Sequence, residues 1–129
     1  MYRYAKKALF KAVVSMVKGI NPKWIDKGVK YPKIDLHTWI ENPSIEKGQG
    51  VREISFIVEA YSNVSYAEAV EMADNVAERL CSEYGSLEVE DATIVSILPD
   101  GSEEIEEEDD NNVVVYRQLN RLVATIKTK

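Results

Sequence analysis

The chain has 129 residues, the usual size of one domain, and that is enough to bury a single core. Its 45% hydrophobic and 29% charged content suits a globular protein, and no segment approaches the roughly 18 consecutive apolar residues of a membrane span. Cys81 is the only cysteine, which excludes an internal disulfide and points away from an oxidising compartment. The net charge of -6 is unevenly spread. Residues 1–33 hold nine basic residues against Asp26 alone, whereas residues 100–110 hold eight carboxylates and no base. Segregation of this kind bears on partners and orientation, not on fold.

The opening "MYRYAKKALFKAVVSMVKGI" is basic and then apolar, as a signal peptide is. Lys11 and Lys18 interrupt the apolar run and no small-x-small site follows, so an amphipathic helix of the mature protein is expected. Ala5, Ala8, Leu9, Ala12, Val13, Met16, Val17 and Ile20 share one helix face, and Gly19 with Asn21–Pro22 ends it. The connector "KWIDKGVKYPK" is basic and reads as an ordered loop. "IDLHTWIE" then alternates Ile34, Leu36, Thr38 and Ile40 against Asp35, His37, Trp39 and Glu41, the period of a half-buried strand. After the turn-rich "NPSIEKGQG", a second strand "VREISFIVEAY" points Ile54, Phe56, Val58 and Ala60 one way.

"SYAEAVEMADNVAERLCSEYG" is the clearest helix. Ser65 and Glu68 have capping-box spacing, Ala69, Ala73 and Ala77 allow close packing on a sheet, and Gly85 stands where the helix stops. Two further strands, roughly 87–98 and 113–127, flank "DGSEEIEEEDDNN". The expected fold is therefore a single α+β domain over 1–129, in the order α-β-β-α-β-β. An antiparallel or mixed four-stranded sheet carries both helices on one face, and residues 99–112 form a solvated acidic hairpin loop.

No phosphate loop, HExxH, paired cysteines or GxSxG is present, so neither a catalytic nor a cofactor site is expected. His37 has no identifiable base-orienting partner and reads as a surface or interface histidine. Cys81 falls on an apolar helix stripe and reads as an inert thiol. The acidic run has its glycine second and lacks the ligand spacing of a calcium loop, so no dedicated metal site is expected. The basic first third, with Tyr2, Tyr4, Trp24 and Tyr31, could touch nucleic acid, but an acidic protein surface suits it better in an acidic chain. The candidate interface residues are Lys6, Lys7, Lys11, Trp39, Tyr61, Glu103, Glu104, Glu106, Glu107, Glu108, Asp109 and Asp110.

The amphipathic helix, "YPKIDLHTW", "ISFIVEAYSNVSYAEAVEMADNVAERL" and the closing "VYRQLNRLVATI" together resemble the tail terminator, or tail-completion (neck), proteins of long-tailed bacteriophages and prophages. The resemblance covers most of the chain through the order of its elements. It implies a small α+β domain that assembles into a homo-oligomeric, hexameric ring at the head–tail junction of the virion, after synthesis in the host cytoplasm. Such a ring caps the tail tube, ends its polymerisation and receives the head-completion protein. DNA passes through the lumen only as cargo, and neither catalysis, cofactor nor membrane is involved. Another head–tail connector, a minor tail component, or a cytoplasmic ligand- or protein-binding module are the alternatives.

Overall fold

A computed structural model describes residues 5–43 and 50–128. Helix α1 spans Ala5–Ile20 and buries Ala5, Leu9, Ala12, Val13 and Val17 at the expected helical spacing. A short 3-10 turn, Pro22–Ile25, follows, with the Asn21 side chain accepting the Lys23 N–H at its start. Strands β1 (Lys33–Pro43) and β2 (Val51–Ser62) precede helix α2 (Tyr66–Glu83). Strands β3 (Ala92–Glu108) and β4 (Val114–Thr128) complete the chain. Most of the turn-rich linker between β1 and β2 lies outside the described residues, as do Tyr2 and Tyr4.

All three strand pairings are antiparallel and the order across the sheet is β1-β2-β4-β3, so β1 and β3 are its edges. Both helices pack into one apolar cluster with a single sheet face, formed by Ile54, Phe56 and Val58 of β2, Leu122, Ala124 and Ile126 of β4, and Leu9, Val13, Val76 and Leu80 of the helices. Each of those larger side chains contributes about 2 kcal/mol on leaving water. Ala69 and Ala73 are fully buried, which is what lets α2 lie close to the sheet. This is the expected α+β architecture, with the sheet antiparallel.

The α2 cap differs from the expected box in one bond. The Ser65 hydroxyl accepts the Glu68 N–H at 3.1 Å, but the Glu68 carboxylate turns back to accept the Ser62 hydroxyl at 2.6 Å. Ser62 in turn accepts the N–H groups of Val64 and Ser65, so the strand-to-helix corner is closed by two serines and one glutamate.

Two expectations fail locally. The first concerns β1, where a bulge between His37 and Ile40 carries Thr38 in the left-handed region (φ 58). One extra residue reverses the phase of everything after it. Trp39, expected on the outer face, therefore turns into the core, stacked on Phe56 at 4.3 Å and met edge-on by Phe10. Ile40, expected inside, emerges 49% exposed on the helix-free face.

The second concerns the acidic run, which is strand up to Glu108, not loop. Only Asp109–Val113 turn the chain, with Asn112 left-handed at φ 62. A ladder is made by backbone groups, so Glu103–Glu108 pair with Val114–Leu119 whatever their side chains. Carboxylates are compatible with that position because β3 is an edge strand with one side free, where charge also discourages pairing with other edges. β3 bulges twice, between Ile94 and Ser96 and between Pro99 and Ser102, and the latter bulge, with Gly101 at φ 100, separates the apolar first half of the strand from its acidic second half. It also accommodates Pro99, which cannot donate to a ladder. β3 begins at Ala92, later than expected, because a 3-10 turn (Tyr84–Ser86) and the left-handed Asp91 occupy the approach.

Candidate functional site

The sheet face without helices carries a charged cluster contributed by all four strands. Register sets it up, because Tyr61 lies opposite Arg117, which lies opposite Ile105, while Asp35 and Leu119 flank Glu59. Glu59 is the centre, its side chain only 1% exposed. One carboxylate oxygen accepts the Arg117 Nε–H, and the other is 2.7 Å from His37 Nε2. Arg117 reaches on to Glu107 of β3 at 3.1 Å. Tyr61 lies beneath two cations, the Arg117 guanidinium at 5.4 Å and Lys33 Nζ at 4.5 Å from its ring centre.

The buried charge is tolerated because its lone pairs are filled by charged and hydrogen-bonded partners. Toward the ionised Glu59, His37 Nε2 must donate; a neutral ring then accepts the Thr38 hydroxyl at Nδ1, 2.7 Å away. His37 is thus held at both nitrogens, and the Glu59 oxygen facing away from it is held by Arg117. Burial and the Glu59 charge push the Tyr61 phenol up to about 12, so it remains neutral over ordinary pH. Such an arrangement fixes strand register and presents a rigid cation–aromatic rim.

The hairpin tip is tied down separately. The Asp109 side chain, 15% exposed, pairs with Lys30 Nζ at 3.2 Å and accepts the Tyr31 hydroxyl at 3.0 Å. Its other oxygen accepts the N–H groups of Asn111 and Val113. The Val113 N–H, followed by those of Asn111 and by Lys30 and Tyr31, brings its pKa down from 3.8 to about 2, against the opposing effect of burial. A carboxyl depressed on folding adds stability that is complete above its unfolded value and is lost as pH falls through the folded one. Urea midpoints of the wild type are therefore expected to fall more steeply between pH 4 and pH 2 than those of Asp109→Asn. Parallel curves would show that the tip is not held this way.

The other candidates are dispersed. Lys6, Lys7 and Lys11 are exposed on α1, remote in the fold from the cluster. Lys7 and Lys11 face Glu90 and Asp91 across a cleft of about 320 Å³, and the Lys6 backbone N–H donates to Glu41 of β1 at 3.0 Å. Burial raises the Glu41 pKa against the effect of that bond. Glu103 approaches Arg121 at 3.9 Å, Asp110 is an exposed turn residue, and Trp39 belongs to the core. Of the expected interface residues the cluster thus gathers Tyr61 and Glu107. It adds His37, expected as a surface or interface histidine, and Glu59 and Arg117, which the sequence does not single out. A carboxylate inside the apolar run "FIVEAY" was the available signal for Glu59; nothing local marked Arg117 as its partner.

Burial pushes the Cys81 thiol up, away from the thiolate. Among the described residues no group of three His, Cys, Asp or Glu side chains is placed to hold a metal ion. Strand alternation sends successive β3 carboxylates to opposite faces, which disperses them. No helix among the described residues is long and apolar enough to cross a membrane.

Architecture and surface together define an α+β sandwich whose uncovered sheet face is charged and rigid. Compared with known proteins, the chain matches no family model and no curated sequence.

Proposed function

We propose that the chain is a structural phage or prophage protein that forms a ring on the tail tube, ends its polymerisation and offers the head-attachment surface. The observation that carries this reading is the segregation of charge between separate surface segments of the fold. The basic helix α1 and its connector contact β1, the connector also reaches the hairpin tip at Asp109, and the glutamate row lies along the exposed edge strand β3. A subunit polarised this way favours heterologous contacts, which close into rings when the rotation permits. Complementary charge steers the encounter and sets its register. The resemblance of the element order to tail-completion proteins supplies the partners. These are further copies of the chain, most simply six, then the tail-tube protein and the head-completion protein, at the head–tail junction.

In such a ring DNA is only cargo, and carboxylates facing the lumen would repel its phosphates. Light scattering on the purified chain, alone and with assembled tail tubes, tests the reading. Expected is a closed oligomer in solution or on the tube end, weakened by salt. A monomer at high concentration that leaves tail tubes undecorated overturns it.

A further inference from the structure

The acidic strand and the basic connector each carry a surface that none of the described residues covers. On β3, Glu104, Glu106 and Glu108 fall at alternate positions and so project to one face, about 7 Å apart. None of the three has an ion pair among the described residues, whereas Glu103 and Glu107, on the opposite face, are engaged by Arg121 and Arg117. Val114, the cross-strand partner of Glu108, stands beside the row and is 37% exposed.

At the other edge of the sheet, α1, the 3-10 turn and the start of β1 enclose a groove of about 610 Å³. Phe10, Val14, Trp24 and Ile25 give it apolar walls, and Phe10 is 39% exposed. Lys18 and Lys27 stand on its rim without an ion pair among the described residues, and Lys33 lies over Tyr61. Of the two acids at the groove, Asp26 turns Oδ1 to the Gly28 N–H at 2.9 Å, and Asp35 is an exposed β1 residue.

We infer that the groove receives the Glu104–Glu106–Glu108 row of a second copy, with Lys18 and Lys27 meeting the carboxylates and Val114 meeting Phe10. The inference rests on the ring-forming reading above and names its subunit contact. The occupant follows from the chemistry. Two β3 edges cannot pair with each other, because three glutamates would face three glutamates. Within one chain the connector meets the hairpin only at its tip, through Lys30 and Tyr31 on Asp109, and Glu104, Glu106 and Glu108 are left for another copy. Of the three lysines that line the groove, Lys33 lies over Tyr61, and Lys18 and Lys27 are the two that can turn to a neighbour.

The test is a charge swap read by sedimentation at low salt, with thermal melts as the folding control. Glu104→Lys/Glu106→Lys/Glu108→Lys is one variant and Lys18→Glu/Lys27→Glu the other. Each alone is expected to associate at least about a hundredfold more weakly than the wild type, since like charges then face each other. Mixing the two, or joining all five changes in one chain, restores association, because every contact is again complementary. As a second measurement, a mixture of Glu106→Cys and Lys27→Cys chains is expected to form a disulfide-linked dimer on mild oxidation.

If each variant associates as the wild type does and no cross-link forms, the inference is overturned while the ring reading stands. If the variants lose only binding to tail-tube protein, the groove belongs to that partner and the inference is equally overturned. A wild-type chain that associates neither with itself nor on tail tubes removes the ring reading as well.

Discussion

Arg117→Ala is expected to lower the unfolding free energy by about 3–5 kcal/mol, the cost of leaving a buried carboxylate without its counter-ion. Glu59 is fully enclosed, and its partners are Arg117 and His37. Removing the guanidinium takes away the charge that compensates Glu59, the bridge to Glu107 and one of the two cations over Tyr61. The remaining His37 contact cannot fill both carboxylate oxygens. Removing the charge along with its partner isolates the cause. Glu59→Gln/Arg117→Leu keeps an acceptor for His37 and leaves no buried ion at the centre of the cluster, so much of the loss should be recovered. Urea denaturation of the two variants against the wild type measures both. A loss under about 1 kcal/mol for Arg117→Ala would mean that water reaches Glu59, in line with an exposed ion pair.

Trp39→Ala is expected to cost about 3 kcal/mol, the lower end of the range for deleting a core aromatic, since the ring is half-buried. The indole stacks on Phe56, receives the edge of Phe10 and donates its N–H to the Leu36 carbonyl at 3.3 Å. Without it the buried Phe56 ring loses its cover on the α1 side and Phe10 loses its partner. Assembly should change only as far as folding does. A variant with an unchanged unfolding midpoint that no longer associates would instead place Trp39 in an interface, where simple alternation along β1 puts it.

The contrast between β1 and β2 explains how far the fold is legible in the residues. In β2 the alternation is regular, and Ile54, Phe56, Val58 and Ala60 are all buried as their period requires. In β1 the same reading works through His37 and then fails. Thr38 is a β-branched residue with no intrinsic preference for a left-handed conformation, so nothing local announces the bulge. The acidic segment departs from the loop its composition predicts for a related reason. Composition registers what side chains prefer, and eight carboxylates prefer water. An edge strand satisfies that preference and the backbone ladder together, and only the partner strand reveals it.

The charged cluster follows the same division. Tyr61 and Glu107 were recognisable as polar or aromatic groups on exposed phases, but Glu59, Arg117 and His37 are separated by up to 80 positions along the chain. They meet because β2 pairs with both β1 and β4, an order that local periodicity does not contain. The residues of the acidic run divide by role. Glu103 and Glu107 brace the sheet, Asp109 anchors the tip to Lys30 and Tyr31, and Glu104, Glu106 and Glu108 remain for a neighbour.

By itself the sequence determined the α+β class, the two helices with their buried stripes, the strands in their order along the chain, and the segregation of charge. These follow from short-range periodicity, capping chemistry and composition, which a linear chain carries in full. The tertiary structure alone decided the strand order, the three bulges, the inward turn of Trp39 and the company of Glu59. Each of those depends on which distant backbone segment supplies the hydrogen-bonding partner, and that is settled only when the apolar faces of the helices and the sheet are buried together.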